Sequence, residues 1–345
     1  MHTAFPRTVS PKRGAPKIKI VTGKLAHATV ITERLQNCLD HADIIAAMNL
    51  ETMMGSFKSF DEALHELRPY AGNKYVAQRI RTLLKHSEIE KSHENCTRVQ
   101  DPYSLRCVPQ VHGASRNAWL HLKETVEIEM NSVTDNPIIF SEEKTITGGH
   151  FHGQPIALPM DYAALAAAEI GNISDRRIYL SLIESIPGLP KLLMKTTGLN
   201  SGFMILQYTS AALVSENKSL CFPASADSIP TSLGQEDHVS MGSISGRKTL
   251  KIVENLEKIL AIELLTASQG FEFRRPMKSG FLMDHCYDFV RSKIEFAESD
   301  RLFYPDINKA LEIIRSRELL HLTDYVAKEH NIDFKNNTHE LFGIY

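Results

Sequence analysis

Residues 252–264 have the sequence IVENLEKILAIEL, and this stretch decides the fold class. Its large apolar residues recur at a spacing of three and four, which is the spacing of one face of an α-helix. The members of this face are Ile252, Leu256, Ile259, Leu260 and Leu264. The stretch therefore predicts a long amphipathic helix.

The same helical spacing extends over most of the chain. One loop departs from it, because residues 137–140 and 145–147 have the composition of a small β-hairpin. We therefore predict an all-α fold of long helices, with polar loops and one short hairpin in a loop. Besides the stretch above, and a helix that Asp306 would cap, the predicted helices cover residues 31–50, 73–90, 118–130, 160–183 and 201–218.

The composition is that of an average soluble protein. The 345 residues are 43% hydrophobic and 23% charged, with a net charge of −2. Charge alone therefore gives no reason to expect a nucleic-acid or membrane-surface partner. No apolar run approaches the roughly 20 residues that cross a bilayer. The five cysteines are odd in number and form no Cys-x-x-Cys pair, so a reducing cytoplasm is expected.

The beginning of the chain is basic. Residues 1–32 contain no acidic side chain but six Lys or Arg residues, and Pro6, Pro11 and Pro16 prevent a continuous helix. We expect residues 1–26 to be a disordered tail, with a transit peptide as the alternative. Residues 27–345 are expected to form the helical domain.

The segment Gln100-Asp-Pro-Tyr103-Ser-Leu-Arg106-Cys107 combines groups that suit a polar ligand. The fork of donors on Arg106 matches a carboxylate, the hydroxyl of Tyr103 can donate or accept, and Gln100 can orient a polar group. Residue types alone also allow Arg106 to be a structural ion pair and Tyr103 a packed aromatic.

Acidic and amide residues stand in two further loops. Glu236, in Gln235-Glu-Asp-His-Val-Ser-Met241, could bind an ammonium or imidazolium group. Its alternative role is to favour the N-terminus of the next helix. Asn136, in Asp135-Asn-Pro137, is on its own most typical of a turn.

A glycine-rich segment, Gly148-Gly-His150-Phe151-His152-Gly, suits close approach to a ligand. Phe151 could pack against an aromatic substrate. His150 and His152 could share a metal ion with His238, but no fourth ligand is marked, so no metal is expected. The motifs of serine hydrolases, P-loop NTPases, zinc proteases and Rossmann dehydrogenases are missing from the sequence.

Together these segments resemble the aromatic amino-acid ammonia-lyase family in order and spacing. The resemblance covers about residues 32–316. Pro102, Ser104 and Glu236 are similar to the histidine-specific members, since the phenylalanine and tyrosine members tend to carry Gln where Glu236 stands. The resembling segments are Gln100–Cys107, Thr134–Pro137, Gly148–His152, Asn200–Met204, Ser215–Lys218 and Gln235–Met241.

The resemblance implies a fold and an activity. The family's fold is a central bundle of long helices, of the ammonia-lyase and fumarase type. Its members are homotetramers in which three chains share each active site. The activity implied is the non-oxidative deamination of L-histidine to urocanate and ammonia, in histidine catabolism. The family's electrophile is methylidene-imidazolone, made from an Ala-Ser-Gly tripeptide, with no added cofactor or metal.

The resemblance also implies roles at matching positions. Arg106 would grip the substrate carboxylate with help from Asn136, and Phe151 would contact the ring. Glu236 would hold the amino group or the imidazole, while Tyr103 and Gln100 would line the prosthetic-group side. These groups are expected to converge on one pocket. The catalytic positions are Tyr103 and Glu236, and the substrate-binding positions are Gln100, Arg106, Asn136 and Phe151.

Two departures from the family pattern bear on activity. The family usually has Asn where His150 stands, and an imidazole is bulkier and can be charged. The 345 residues contain no Ala-Ser-Gly, so we expect a chain that is truncated relative to the family and has no electrophile of its own. The sequence thus leaves three hypotheses: a lyase component completed by an upstream fragment or another chain, an inactive oligomerisation partner or amino-acid-binding pseudoenzyme, or a truncated product without a role.

Overall fold

Three long helices lie side by side in the computed structural model, which describes residues 20–94, 98–334 and 336. They are α1 (Ile20–Thr52), α7 (Gln154–Leu182) and α9 (Gly242–Glu272). The other helices pack around them. These are α2 (Glu62–Glu66), α3 (Ala71–Leu83), α4 (Glu88–Ser92), α5 (Tyr103–Arg106), α6 (Val108–Met130), α8 (Met204–Leu220), α10 (Phe281–Lys293), α11 (Tyr304–Ser316) and α12 (Glu318–Glu329).

The three long helices run in the same direction, as their contacts show. Toward their beginnings, the hydroxyl of Thr249 on α9 donates to the carbonyl oxygen of Met160 on α7 (3.1 Å). Toward their ends, the carboxylate of Glu263 on α9 accepts from Asn49 on α1 (2.7 Å) and from Arg177 on α7 (2.5 Å). A loop that precedes α7 therefore lies near a loop that precedes α9.

The amphipathic stretch at residues 252–264 is buried more deeply than an amphipathic helix on the surface of a fold would be. Its polar residues Asn255, Glu257 and Glu263 are buried along with its apolar face. Buried charges need partners. Glu257 has one in Arg34 (2.7 Å) and Glu263 has one in Arg177, so packing covers part of the polar face of α9 as well as its apolar face.

A second buried network joins α1, α3 and α6. The carboxylate of Asp43 accepts from Arg79 (2.9 Å), Arg116 (2.5 Å) and His112 (2.8 Å). Burial alone would raise the pKa of Asp43, but the charge of Arg116 and Arg79 and the bond from His112 outweigh it, so that the pKa lies well below its usual range. The two guanidinium groups balance the charges of two carboxylates, those of Asp43 and Asp40. Asp40 pairs with Arg116 (3.0 Å).

The predicted fold class is confirmed, because the described residues form helices and one two-stranded antiparallel hairpin, Ile138–Ile139 with Thr145–Ile146. Three helices, α2, α10 and α12, had no sequence prediction. Helix α5 and the start of α6 lie in a segment for which no helix was predicted. The predicted helix at 73–90 ends at Leu83 and restarts at Glu88 as the short helix α4.

The predicted tail at residues 1–26 falls mostly outside the described residues. Its last part, from Ile20, forms the first turns of α1. Among the helices that the structure describes, none is long and apolar enough to cross a membrane.

Candidate active site

The glycine-rich segment lies between the hairpin and α7. The side-chain oxygen of Asn136 accepts a hydrogen bond from the backbone of Gly148 (2.8 Å), which closes the base of the hairpin. His150 is exposed, and Phe151 is 48% exposed. Asn136 is thus a turn residue, as its sequence context suggested, and its amide nitrogen makes no hydrogen bond within the described residues. A ligand can therefore still use this nitrogen as a donor.

The acidic segment, residues 235–241, follows two short turns and precedes α9. The carboxylate of Glu236 accepts from the hydroxyl of Thr231 (2.5 Å), and the backbone of Thr231 donates to the carbonyl oxygen of Glu236 (2.9 Å). Helix α9 begins only at Gly242, and its first turn holds no acidic residue. The alternative role for Glu236 at that helix N-terminus therefore fails, and the exposed carboxylate remains available to a ligand.

The glycine-rich and acidic segments contact each other. Nε2 of His152 lies 3.1 Å from the carbonyl oxygen of His238, and the two imidazole rings are stacked at 5.9 Å with an interplanar angle of 7°. This contact engages Nε2 of His152, and Nδ1 of the same ring accepts from the backbone of Gln154 (3.4 Å). No group of three or more His, Cys, Asp or Glu residues suited to a metal ion occurs in the described part of the chain.

Arg106 lies with Tyr103 on the short helix α5. Its guanidinium stacks over the Tyr103 ring at 4.6 Å, and its Nε donates to the carbonyl oxygen of Asp101 (2.9 Å). Within the described residues no carboxylate pairs with Arg106, so the structural ion pair that the sequence allowed is not formed. Tyr103 is 71% exposed, which rules out a packed aromatic. Gln100 is exposed beside them.

These two groups of site residues lie at opposite ends of α7. Phe151 lies three residues before the start of the helix, whereas the carbonyl oxygen of Ser104, next to Tyr103, accepts from Arg177 (3.2 Å). Gln154 and Arg177 are 23 positions apart, which corresponds to about 35 Å of helix. Within one chain the six residues therefore do not converge on one pocket, and their convergence in a site shared between chains stays a prediction. Asn136, Phe151 and Glu236 are at one end, and Gln100, Tyr103 and Arg106 are at the other.

Comparison with known proteins identifies the family. The sequence model of the family described as aromatic amino acid lyase matches residues 6–292. The chain belongs to this family.

The relatives of this lyase-family chain include histidine ammonia-lyases. That of Natranaerobius thermophilus is 47% identical over 90% of this chain and 61% of its own length, and that of Myxococcus xanthus is 44% identical over 91% and 62%. The chain thus spans about three fifths of the curated relatives that it matches.

Solved structures of the family have the same fold. The histidine ammonia-lyase of Trypanosoma cruzi superposes with a TM-score of 0.81 at 41% identity, over 88% of this chain and 57% of that one. A tyrosine aminomutase of Streptomyces globisporus gives 0.83 at 32% identity, over 92% and 63%.

The family's prosthetic group does not fit the residues at hand. Methylidene-imidazolone forms from Ala-Ser-Gly, and none of the 345 residues supplies that tripeptide. One residue near the site is not among the predicted site residues. Lys24, counted among the basic residues of the predicted tail, is buried against the loop before α9. Only its position in a basic run was visible in the sequence.

Proposed function

We propose that this chain carries the substrate-binding side chains of an enzyme that deaminates L-histidine to urocanate and ammonia. The named activity of its relatives supports this proposal. The observation that carries it is the chemistry of the two exposed groups. One offers a guanidinium without a carboxylate partner, and the other offers a carboxylate beside an aromatic ring.

Each group has a part of the amino acid to bind. Arg106 binds the substrate carboxylate through paired hydrogen bonds, and the amide nitrogen of Asn136 assists. Phe151 packs on the imidazole ring. Glu236 holds the amino group or the imidazole. Tyr103, whose ring already positions the Arg106 guanidinium, lines the far side of the pocket with Gln100.

The separation of the two groups requires a second copy of the chain. If two copies pair in antiparallel fashion along α7, the Arg106 end of one reaches the Phe151 end of the other. Leu165 lies 11 residues after Gln154 and 12 before Arg177, so a two-fold axis at Leu165 brings these ends level. We therefore propose a homo-oligomer with composite sites.

The surface of α7 supports such pairing. Its exposed positions alternate in spacing between four and three residues, which is the pattern that packs one helix against another. The part around Leu165 is apolar, with Leu158, Tyr162 and Leu165 each about half exposed. The exposed positions between residues 156 and 182 are Leu158, Tyr162, Leu165, Glu169, Asn172, Arg176 and Tyr179.

The electrophile must come from outside these 345 residues. When present, methylidene-imidazolone supplies the electron sink that makes the loss of ammonia feasible. Binding and orientation by the residues of this chain cannot replace that chemistry. The lack of Ala-Ser-Gly favours, as the second candidate function, an oligomerising amino-acid-binding protein without catalysis.

A reconstitution experiment separates the two candidates. The purified chain is assayed for urocanate by its absorbance, alone and mixed with the Ala-Ser-Gly-containing upstream segment of a histidine ammonia-lyase. We expect activity only in the mixture. Histidine binding by calorimetry without any activity in the mixture would support the non-catalytic candidate. Absence of both binding and activity would contradict both candidates.

A further inference from the structure

Lys24 is buried at the point where the two loops of the Phe151–Glu236 group meet. The residue is only 5% exposed. Its Nζ donates to the hydroxyl oxygen of Ser240 at 2.6 Å and lies 3.5 Å from the carbonyl oxygen of the same residue. Ser240 is four residues after Glu236, so the first turns of α1 are bonded directly to the acidic segment.

Two glycines make room for this lysine, one from each loop. A Cβ built on Gly153 would lie 2.6 Å from Nζ of Lys24, and one built on Gly242 would lie 2.9 Å from its Cδ. Gly153 is two residues after Phe151. The side chain of Lys24 therefore passes between the end of the glycine-rich segment and the start of α9, in a space that any larger residue would fill.

The charge of Lys24 is costly in this place. Burial lowers the pKa of its amine. None of the described carboxylates lies within ion-pair distance of it, and the nearby beginnings of α7 and α9 carry the positive ends of two helix dipoles. A lysine that served packing alone would be more stable as an apolar residue of equal length. The amine must therefore contribute something that an apolar stem cannot.

We propose that Lys24 is a positioning residue that holds the Phe151 loop against the Glu236 loop. The proposal rests on the proposed function, because it assumes that these loops bind the imidazole ring. A charge-assisted hydrogen bond in a water-poor space is stronger than an ordinary one. The bond from Lys24 to Ser240 thus fixes one side of the junction, and the contact from His152 to His238 fixes the other.

Hydrogen exchange measures this junction without reference to catalysis. Lys24→Met keeps the length of the side chain and removes the amine, and Ser240→Ala removes the acceptor. Exchange is followed in peptides covering residues 148–153 and 235–241, with 98–106 as the internal reference. Lys309→Met, at an exposed position of α11, is the matched control.

We expect either variant to speed exchange in both loops by about tenfold. The double variant should exchange little faster than either single variant, because both substitutions remove the same hydrogen bond. The reference peptide and the Lys309→Met protein should exchange at the wild-type rate. The affinity for histidine, measured by calorimetry, should weaken in step with the loss of protection in the loops.

Two results would overturn the role of Lys24. One is unchanged exchange in both loops of Lys24→Met, which would leave the amine without a positioning effect. The other is faster exchange in the reference peptide as well, which would make Lys24 a general stabiliser. A wild-type protein that fails to bind histidine would instead refute the proposed function, while the exchange data would still decide whether Lys24 joins the loops.

Discussion

The carbonyl oxygen of Ser104 accepts a hydrogen bond of 3.2 Å from Arg177, close to the C-terminal end of α7. This bond anchors the Arg106 group at the end of the bundle that is farthest from Phe151. Arg177 is also paired with Glu263 of α9, and both side chains are fully buried. The same ion pair thus supports the core and fixes the position of half of the candidate site.

The buried pair between Arg177 and Glu263 should be costly to break. Arg177→Met leaves the Glu263 charge in the core with Asn49 as its remaining donor. We expect a loss of about 3–5 kcal/mol in the free energy of unfolding, measured in urea. Glu318→Gln, which breaks the exposed pair of Lys293 and Glu318, should change it by less than about 1 kcal/mol. Equal effects from the two variants would contradict this account.

Arg106 should control ligand affinity rather than stability. It has no carboxylate partner in the described chain, so Arg106→Ala removes only a hydrogen bond to a backbone carbonyl and the stacking on Tyr103. We expect the Kd for histidine to rise by about tenfold or more in calorimetry, because bonds to a charged carboxylate are lost. Arg247→Ala, at an exposed site on α9, is the control. Unchanged affinity in Arg106→Ala would reject the assigned role.

The proposed pairing along α7 places Leu165 next to its own counterpart. Leu165→Asp should weaken self-association at least about tenfold in sedimentation, because two carboxylates then meet at the axis. Leu165→Lys should do the same, and an equal mixture of the two variants should associate again. Leu67→Asp, at a position 85% exposed elsewhere, should have no effect. Failure of the mixture to associate would place the contact on another surface.

Glu51 should make the stability depend on pH near neutrality. Burial raises the pKa of Glu51 to about 7, despite its bond from Ser87. The neutral form is therefore favoured in the folded chain, and stability is lost as the pH rises from about 4.5 through 7. Across this range the loss should approach 3 kcal/mol, at about 1.4 kcal/mol per pH unit.

The variant Glu51→Gln isolates this effect, because an amide cannot ionise. Its free energy of unfolding, measured in urea, should equal that of the wild type at pH 4.5 and exceed it at pH 8. Glu312→Gln, at an exposed position, should follow the wild type at both values. A wild-type protein whose stability does not fall relative to Glu51→Gln between these pH values would show that Glu51 is charged at little cost.

Helical periodicity predicted the fold because apolar spacing is a local property. It could not predict that Glu263 is buried, since an isolated helix with a glutamate on its polar face looks solvent-exposed. Its burial becomes evident only from its ion pair with Arg177 on α7. Helix α5 was invisible for a similar reason: four residues are too few to show a period.

The residues of the candidate site could be predicted from the sequence, but their positions in the fold could not. The segments around Arg106, Phe151 and Glu236 identify groups suited to an amino acid, yet a sequence does not state at which end of a bundle a loop lies. Lys24 illustrates the same limit. Its neighbours Gly153 and Ser240 are more than 100 residues away, so nothing local distinguishes it from the other basic residues of the tail.

The central claim is that each site combines Arg106 of one copy with Glu236 of another, and a mixture of two inactive variants tests it most directly. Arg106→Ala and Glu236→Gln are each expected to lose histidine binding in calorimetry. Random mixing in equal amounts should restore roughly a quarter of the sites, because half of the pairs are hybrids with one intact site. A mixture that binds no more histidine than either variant alone would contradict the claim.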